Sequence, residues 1–284
     1  MLTHVNVNRG AWAVTGLLAL VAAAAGLWDP AIYDRIVSPG IIRGAYSQDL
    51  ISAAAALCLL YLALTGRSGT PRRQIIVLGL LGYLFYAYGI YVIERTYNGL
   101  YLLYMAVFAL SFWALVYAGA TLRRNLQQPA LPRGIRVVSA SGALLQPMVF
   151  YPLWIGMLLP LMRTGEQIDS LHSIFILDLC FIMPAFLILS VLTYRQHATG
   201  LILLPALHVL GFTLIFSLAA GEVVKPLFDL PLNHASFWPA LALSAFFLVL
   251  GVLHLRKLQM TPEAFGDGQS GQNDAEPVHV EPGG

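Results

Sequence analysis

The chain has 284 residues, of which 58% are hydrophobic and only 11% carry a formal charge. Soluble domains contain about 25% charged residues, so this composition excludes an ordinary soluble domain and a disordered chain. The mean hydropathy of +0.73 predicts a polytopic membrane protein in contact with a lipid bilayer. A net charge of +2 gives no indication of nucleic-acid binding. Two cysteines without a CxxC pattern argue against thiol-redox and zinc-thiolate sites.

Eight apolar segments are long enough to cross the hydrocarbon core, which takes about 20 helical residues. A backbone surrounded by lipid must satisfy its own hydrogen bonds, so each segment is predicted to be an α-helix. The fold class is therefore an all-α polytopic membrane helix bundle with about eight transmembrane helices. We place the spans at 11–28, 49–65, 75–93, 100–122, 137–162, 171–193, 201–221 and 238–255.

The basic residues predict the orientation of these spans. Eleven of the 16 Lys and Arg residues lie before span 1, after span 8 or in every second loop. Because Lys and Arg are retained on the cytoplasmic side, both termini are predicted to be cytoplasmic. Residues 1–10 then form a cytoplasmic N-terminus and residues 11–257 the membrane domain. Residues 258–284 are rich in Gly, Pro and acidic residues, which predicts a disordered cytoplasmic tail.

Acidic landmarks repeat between the two halves of the membrane domain. Asp49 opens span 2, and Asp178 lies in span 6, 129 residues later. Glu94 ends span 3, and Glu222 ends span 7, 128 residues later. The spacing suggests two parallel four-helix halves related by an axis along the membrane normal, an arrangement whose interface often holds the site. The possible halves are residues 11–124 and 137–257.

Nine of the 14 acidic residues fall on the predicted outer side or in the outer half of a span. Either an outward-facing acidic vestibule or ordinary polar loops would give this bias. Asp178 is the sharpest candidate, because it lies about 10 Å inside span 6. A carboxylate there costs about 2.5–3.5 kcal/mol on insertion unless it faces the bundle interior. The default interpretation is therefore a functional site in which Asp178 has a partner, and the candidates are His172, Asp49 and a tyrosine of the outer half. The alternative is a protonated Asp178 that hydrogen-bonds to another helix.

Asp49 permits two interpretations. Its carboxylate can cap the N-terminus of span 2, or it can face Asp178 and share a proton or bind a cation. A histidine beside carboxylates, such as His172, can act as an acid–base group or bind zinc. No HxxxH or HxxE pattern supports a metal, so we predict no metal site and no cofactor. His208, in mid-span, is typical of a hydrogen-bonded interior histidine.

Seven tyrosines lie in the predicted outer half of span 3 and at the entrance of span 4. Pairs spaced by three residues place them on two faces of the helix. That spread favours an aromatic belt at the membrane interface. The alternative is a hydrogen-bonding lining of the acidic vestibule.

Three short motifs stand at the entrance of span 2, at the entrance of span 4 and within span 6. They are Ser47-Gln48-Asp49, Asn98 followed by Leu102-Leu103-Tyr104, and Asp178-Leu179 with Pro184 downstream. Across residues 10–255 the chain resembles a family of bacterial polytopic membrane proteins without an assigned activity. It departs from that family where Ser47 replaces an expected Gly. The resemblance implies a multi-pass protein of the bacterial cytoplasmic (inner) membrane. It also adds Gln48, Asn98 and Tyr104 to the candidate set that contains Asp49 and Asp178.

The leading hypothesis is a small permease-like protein with an outward-facing acidic pocket for a cation, a proton or a small polar solute. The candidate pocket residues are Asp49, Asp178, His172, Gln48, Asn98, Glu94, Glu222 and Tyr104. A second hypothesis is a membrane enzyme that acts on a lipid or isoprenoid at the outer leaflet, with Asp49, Asp178 and His172 as acid–base groups. A third is an accessory subunit of a membrane complex. A homo-oligomer is compatible with each hypothesis, and no catalytic residue is assigned.

Overall fold

The computed structural model describes residues 2, 5–34, 39–65, 70–120, 129–168 and 170–260. Eight helices in these ranges are long and apolar enough to cross a membrane. They are α1 (Val5–Trp28), α2 (Pro39–Leu64), α3 (Pro71–Ile93), α4 (Tyr101–Ala120), α5 (Arg133–Thr164), α6 (His172–Tyr194), α7 (Ala198–Val224) and α8 (His234–Lys257). The predicted all-α bundle of about eight membrane helices is confirmed.

Helix α2 begins ten residues before its predicted start, at Pro39 instead of residue 49. Two polar residues just before the predicted start, Ser47 and Gln48, form side-chain hydrogen bonds within the protein. Ser47 Oγ donates to the Gly44 carbonyl at 3.0 Å, and Gln48 Nε2 donates to the Ala87 carbonyl of α3 at 2.8 Å. Polar residues whose hydrogen bonds are satisfied inside a bundle can extend a membrane helix beyond its apolar segment.

The predicted outer end of the bundle is the end at which α1, α3, α5 and α7 finish. A short 3-10 helix, Pro30–Tyr33, follows α1 at this end, and a second, Lys225–Phe228, follows α7. At the predicted cytoplasmic end, the backbones of Ala130 and Gln259 exchange two hydrogen bonds of 2.9 and 3.1 Å. Ordered structure therefore continues past the predicted start of the tail, whose residues 261–284 lie outside the described ranges.

The helix contacts follow the same cycle in the two halves of the chain. Helix α1 packs on α2, α2 on α3, α3 on α4, and α4 back on α1. Helices α5, α6, α7 and α8 repeat this cycle, and the halves meet along α3–α7, α2–α7 and α3–α6. Duplication of a four-helix unit would produce this pattern, although the duplication itself and the boundaries of the halves stay predictions. Helices α3 and α7 consequently occupy the centre of the bundle.

Helix α6 contains a π-helical segment, Asp178–Ile182, in which the Met183 N–H bonds to the first carbonyl of the segment, five residues back. Pro184 explains this segment, because proline has no N–H to donate to a carbonyl of the preceding turn. The Tyr151 hydroxyl of α5 donates instead to the Leu179 carbonyl at 3.5 Å. Such π segments are frequent at functional sites, and this one begins with a candidate pocket residue.

Candidate functional site

Asp49 lies inside α2, ten residues beyond Pro39, and its exposed fraction is 0%. The free N–H groups of a helix belong to its first turn, so a residue at this position cannot supply the N-cap. The capping interpretation of Asp49 is therefore wrong. Asp49 is a fully buried carboxylate within a helix that crosses the membrane.

Two tyrosines hold the Asp49 carboxylate. The Tyr33 hydroxyl donates to Oδ2 at 2.6 Å, and the Tyr91 hydroxyl donates to Oδ1 at 2.9 Å. Tyr33 comes from the 3-10 helix after α1, and Tyr91 from the central helix α3. Burial, reinforced by the nearby Asp49 carboxylate, raises the pKa of Tyr33 above its ordinary value of 10.0. The Tyr33 hydroxyl consequently keeps its proton at neutral pH and remains a hydrogen-bond donor.

A chain of polar groups leads from this carboxylate to the predicted outer end. The hydroxyl of Tyr104 on α4 interacts with that of Tyr33, and its ring stacks on the ring of Tyr91 with centroids 4.7 Å apart. Asn98 Nδ2 donates to the Tyr104 hydroxyl at 3.1 Å. Asn98 is half-buried in the loop between α3 and α4. We call Asp49, Tyr33, Tyr91, Tyr104 and Asn98 the Asp49 cluster.

The polar groups continue a short way toward the middle of the bundle. The Tyr83 hydroxyl of α3 donates to the Gln48 carbonyl at 3.2 Å and lies 3.3 Å from Ser52 Oγ, one turn beyond Asp49. Ala53, Ala54 and Ala55 follow Ser52 along α2 and carry no polar side-chain atom. The chain of polar groups therefore extends closer to the predicted outer end of the bundle than to the predicted cytoplasmic end.

The space between Asp49 and Gly26 of α1 is filled. Gly26 of α1 packs against the carboxylate, and a Cβ placed on this glycine would overlap Asp49 Oδ2 and lie 2.7 Å from the Tyr33 hydroxyl. A methyl group therefore does not fit on the Gly26 side of the carboxylate. The sequence predicts an outward-facing acidic pocket here, and in this structure Asp49 lies in a buried, hydrogen-bonded cluster.

Asp178 belongs to a second polar group, with partners that differ from those of Asp49. Trp154 Nε1 of α5 donates to Asp178 Oδ2 at 2.8 Å, and the Tyr86 hydroxyl of α3 lies beside the same carboxylate. Asp178 is 5% exposed, and its Oδ1 has no hydrogen-bond partner in the described part of the chain. Of the three predicted partners of Asp178, a tyrosine of span 3, Tyr86, lies beside it. His172 instead faces Glu94, and Asp49 has partners of its own.

Glu94 joins the end of α3 to the beginning of α6. Its Oε1 accepts hydrogen bonds from Ser173 N at 2.7 Å and from Ser173 Oγ at 2.6 Å. Its Oε2 lies 3.6 Å from His172 Nδ1. A carboxylate that accepts from the first N–H groups of a helix stabilises its N-terminus. These contacts give Glu94 and His172 a clear structural role.

Glu222 closes the loop between α7 and α8. It pairs with Lys225, and its Oε2 accepts from Asn233 N at 3.0 Å. Asn233 in turn caps α8 by accepting from Ala235 N at 3.0 Å.

Of the eight candidate pocket residues, Asp49, Gln48, Asn98 and Tyr104 lie together, whereas the other four form three separate groups. Among the described residues, no three His, Cys, Asp or Glu side chains form a group that could hold a metal ion.

The interpretation of the tyrosines as an interfacial belt is wrong for most of them. The buried members are Tyr83, Tyr86, Tyr88, Tyr91 and Tyr104. Helix α3 is surrounded by α2, α4, α6 and α7, so both of its tyrosine-bearing faces are internal. Tyr97, in contrast, is 65% exposed, as an interfacial residue would be.

A polar relay that no sequence pattern predicts lies at the predicted cytoplasmic end. Ser139 Oγ of α5 lies 2.8 Å from His208 Nε2 on α7 and 2.7 Å from His254 Nδ1 on α8. His254 Nε2 lies 2.8 Å from the Leu201 carbonyl. All three side chains are buried. His208 has the interior hydrogen bond expected of it, but no spacing in the sequence links it to Ser139 or His254.

No protein-family model matches the chain, and comparisons with curated proteins and with solved structures also found no match. The class of the protein follows from its helices: it is a multi-pass integral membrane protein in contact with a lipid bilayer. Its bacterial inner-membrane location, the cytoplasmic placement of its termini and the family resemblance stay predictions.

Proposed function

We propose that the protein is a permease-like membrane carrier in which Asp49 binds and releases a proton. One observation carries the proposal: a fully buried carboxylate within a spanning helix accepts hydrogen bonds from tyrosine hydroxyls at both oxygens. Ionisable residues within membrane spans are expensive and mark ion or substrate pathways, among them proton relays. A tyrosine hydroxyl suits such a relay because it can both donate and accept.

The geometry around Tyr91 accommodates both protonation states of Asp49. The Tyr91 hydroxyl lies 2.9 Å from Asp49 Oδ1 and 3.1 Å from the Ala45 carbonyl, but its single proton can serve only one of them. When Asp49 is ionised, Tyr91 donates to the carboxylate. When Asp49 is protonated on Oδ1, the acid donates to Tyr91, which then donates to Ala45. Both states are hydrogen-bonded in one arrangement of side chains.

The packing favours a proton over a larger cation or solute. Gly26 leaves no room for a methyl group beside Asp49 Oδ2, and Asp49, Tyr33 and Tyr104 are each completely buried. A metal cation would need several oxygen ligands at more than about 2 Å, which this packing does not accommodate. A proton needs no added volume and can pass between neighbouring hydroxyl groups.

Proton exchange is expected at the predicted outer end in this conformation. The Tyr104 and Tyr33 hydroxyls lead from Asp49 toward the outer end, where the half-buried Asn98 amide orients the Tyr104 hydroxyl without carrying a proton itself. Toward the other end the polar chain stops at Tyr83 and Ser52. Exchange with that side therefore requires a second conformation, as in alternating-access carriers.

Proton flux into proteoliposomes that enclose a pH-sensitive dye tests the proposal. A pH gradient should drive flux in the wild type, and Asp49→Asn should abolish it because the amide cannot exchange a proton at neutral pH. Tyr91→Phe removes a donor to Asp49 and should slow the flux. The matched control is Tyr88→Phe, because the Tyr88 hydroxyl is equally buried but donates to the Ala19 carbonyl at 2.8 Å. Equal flux in wild type and Asp49→Asn would contradict the proposal by showing that protons pass without Asp49. Absence of flux in both would contradict it as well and would favour the accessory-subunit hypothesis.

A further inference from the structure

Three arginines lie where the beginning of α5 meets the end of α6, at the predicted cytoplasmic end of the bundle. Arg133 and Arg136 belong to the first turn of α5, and their spacing of three residues makes them neighbours on the helix surface. Arg195 follows α6 directly, and Gln196 comes next in the chain. The Gln196 side-chain oxygen accepts hydrogen bonds from both terminal nitrogens of the Arg136 guanidinium, at 2.9 Å for Nη2. We call Arg133, Arg136 and Arg195 the arginine site.

The arginine site differs from other arginines at this end of the bundle, which serve the ends of helices. Arg9 and Arg72 donate to backbone carbonyls at the ends of α2 and α8. The side chains of Arg133 and Arg195 are exposed, and neither forms a hydrogen bond or an ion pair with the part of the chain that the structure describes. Arg136 contacts a neutral amide. The internal packing of the described residues therefore leaves the positive charge of the site uncompensated.

No carboxylate stands near these arginines within the described ranges. The acidic side chains there lie at the predicted outer end or in the outer half of a span, and the ones with ion-pair partners are Glu94 and Glu222 at the outer end. A cluster of like charges at one point of a surface is unfavourable unless a counter-charge binds there. The site is thus complementary to an anion.

A lipid-facing seam between α5 and α6 leads from the arginine site into the membrane. The Ser141 hydroxyl of α5 contacts the Tyr194 hydroxyl of α6, about 7 Å deeper than the contact of Arg136. Leu145 and Val191 lie one turn deeper still on the same helix faces, and both are exposed. Because these helices cross the membrane, the exposed apolar side chains contact acyl chains. A charged group at the membrane surface is therefore followed by an apolar surface below it.

We infer that the arginine site binds the phosphate of an anionic phospholipid whose acyl chains lie along the seam of α5 and α6. Guanidinium groups suit this role because their forked donors match the oxygens of a phosphate. Basic pockets between membrane helices on the cytoplasmic side are known to hold anionic head groups. The seam favours a lipid over a soluble phosphate, which would gain nothing from the apolar surface. The site shares no residue with the Asp49 cluster and lies at the opposite end of the bundle, so the inference is independent of the proposed proton site.

Native mass spectrometry of the full chain in detergent micelles tests the inference, because it counts the lipids that remain bound. Phosphatidylglycerol should occupy one site at about tenfold lower concentration than phosphatidylcholine with the same acyl chains, whose choline cation cancels the charge of its phosphate. Glycerol phosphate in tenfold excess should not displace the bound phosphatidylglycerol. Displacement by glycerol phosphate at that excess would overturn the lipid assignment and identify a site for a soluble phosphate.

Two arginines of the same helix provide a matched pair of variants. Arg133→Gln should weaken phosphatidylglycerol binding about fivefold, which corresponds to about 1 kcal/mol for one basic residue at an anionic surface. Arg163 is an exposed arginine at the other end of α5, so Arg163→Gln lowers the net charge equally and should leave the affinity unchanged. Arg195→Gln should repeat the loss from the α6 side, and its exposed position makes misfolding no obstacle. Equal affinities for the two lipids, or equal losses in Arg133→Gln and Arg163→Gln, would overturn the inference.

Discussion

The Tyr91 hydroxyl of α3 donates a 2.9 Å hydrogen bond to Asp49 Oδ1 of α2, so the central helix of the bundle supplies a partner for its most buried carboxylate. The Tyr91 ring also lies 5.8 Å from the ring of Tyr33, which holds the other carboxylate oxygen. Each oxygen is thereby fixed by a different segment of the chain. The proposed proton binding at Asp49 is therefore expected to depend on the packing of α2 on α3 and on the end of α1.

Gly26→Ala should destabilise the protein because the new methyl group would overlap the Asp49 carboxylate and crowd the Tyr33 hydroxyl. Overpacking of this kind costs about 1–3 kcal/mol. Gly10→Ala in the same helix meets no atom within 4 Å, so it should be neutral or stabilise by up to about 1 kcal/mol through helix propensity. Denaturant unfolding in micelles measures both free energies. Changes of the same sign and size would show that Gly26 is not tightly packed.

Glu94→Ala should lower stability by about 1–2 kcal/mol, because it removes the acceptor for both Ser173 N and Ser173 Oγ at the start of α6. Ser173→Ala removes only the second bond and should cost less. A double-mutant cycle should give a coupling energy of about 0.5–1.5 kcal/mol. The exposed Glu166 serves as the control, and Glu166→Ala should change stability by less than about 0.5 kcal/mol. If the stability effects of Glu94→Ala and Ser173→Ala are additive, the result contradicts direct contact between the two side chains.

The relay of Ser139, His208 and His254 has one consistent pattern of protons. The Leu201 carbonyl can only accept, so His254 carries its proton on Nε2 and its Nδ1 accepts from Ser139. Ser139 Oγ must then accept from the Nε2–H of His208. Nitrogen-15 NMR of histidine-labelled protein should therefore show both side chains as neutral Nε2–H tautomers. An Nδ1–H tautomer at either residue would contradict this assignment.

Removing the central hydroxyl of the relay should be costly. Ser139→Ala leaves a buried donor on His208 and a buried acceptor on His254 without their partner, at about 1–3 kcal/mol for each group. Ser141→Ala, two residues along α5, is the matched control because Ser141 is exposed and its hydroxyl contacts the Tyr194 hydroxyl outside the relay. Equal thermal midpoints for the two variants would show that the relay contributes nothing to stability.

The sequence predicts the spans well and the partners of the site residues poorly. Asp49 and Asp178 stand out in sequence because a carboxylate within an apolar segment is rare and expensive. The sequence cannot separate an interfacial from an interior position for Tyr91, because lipid and protein interior are similarly apolar. Tyr33 and Trp154 approach the two carboxylates through the packing of other segments, so no sequence spacing reveals them.

Infrared difference spectroscopy of the reconstituted protein tests the central claim, proton binding at Asp49, most directly. Spectra recorded at acid and alkaline pH should differ by the C=O stretching band of a protonated carboxylic acid buried in the membrane. This band should be absent in Asp49→Asn and retained in Asp178→Asn, since the two carboxylates have different partners. A difference band that persists unchanged in Asp49→Asn would contradict the assignment of the proton to Asp49.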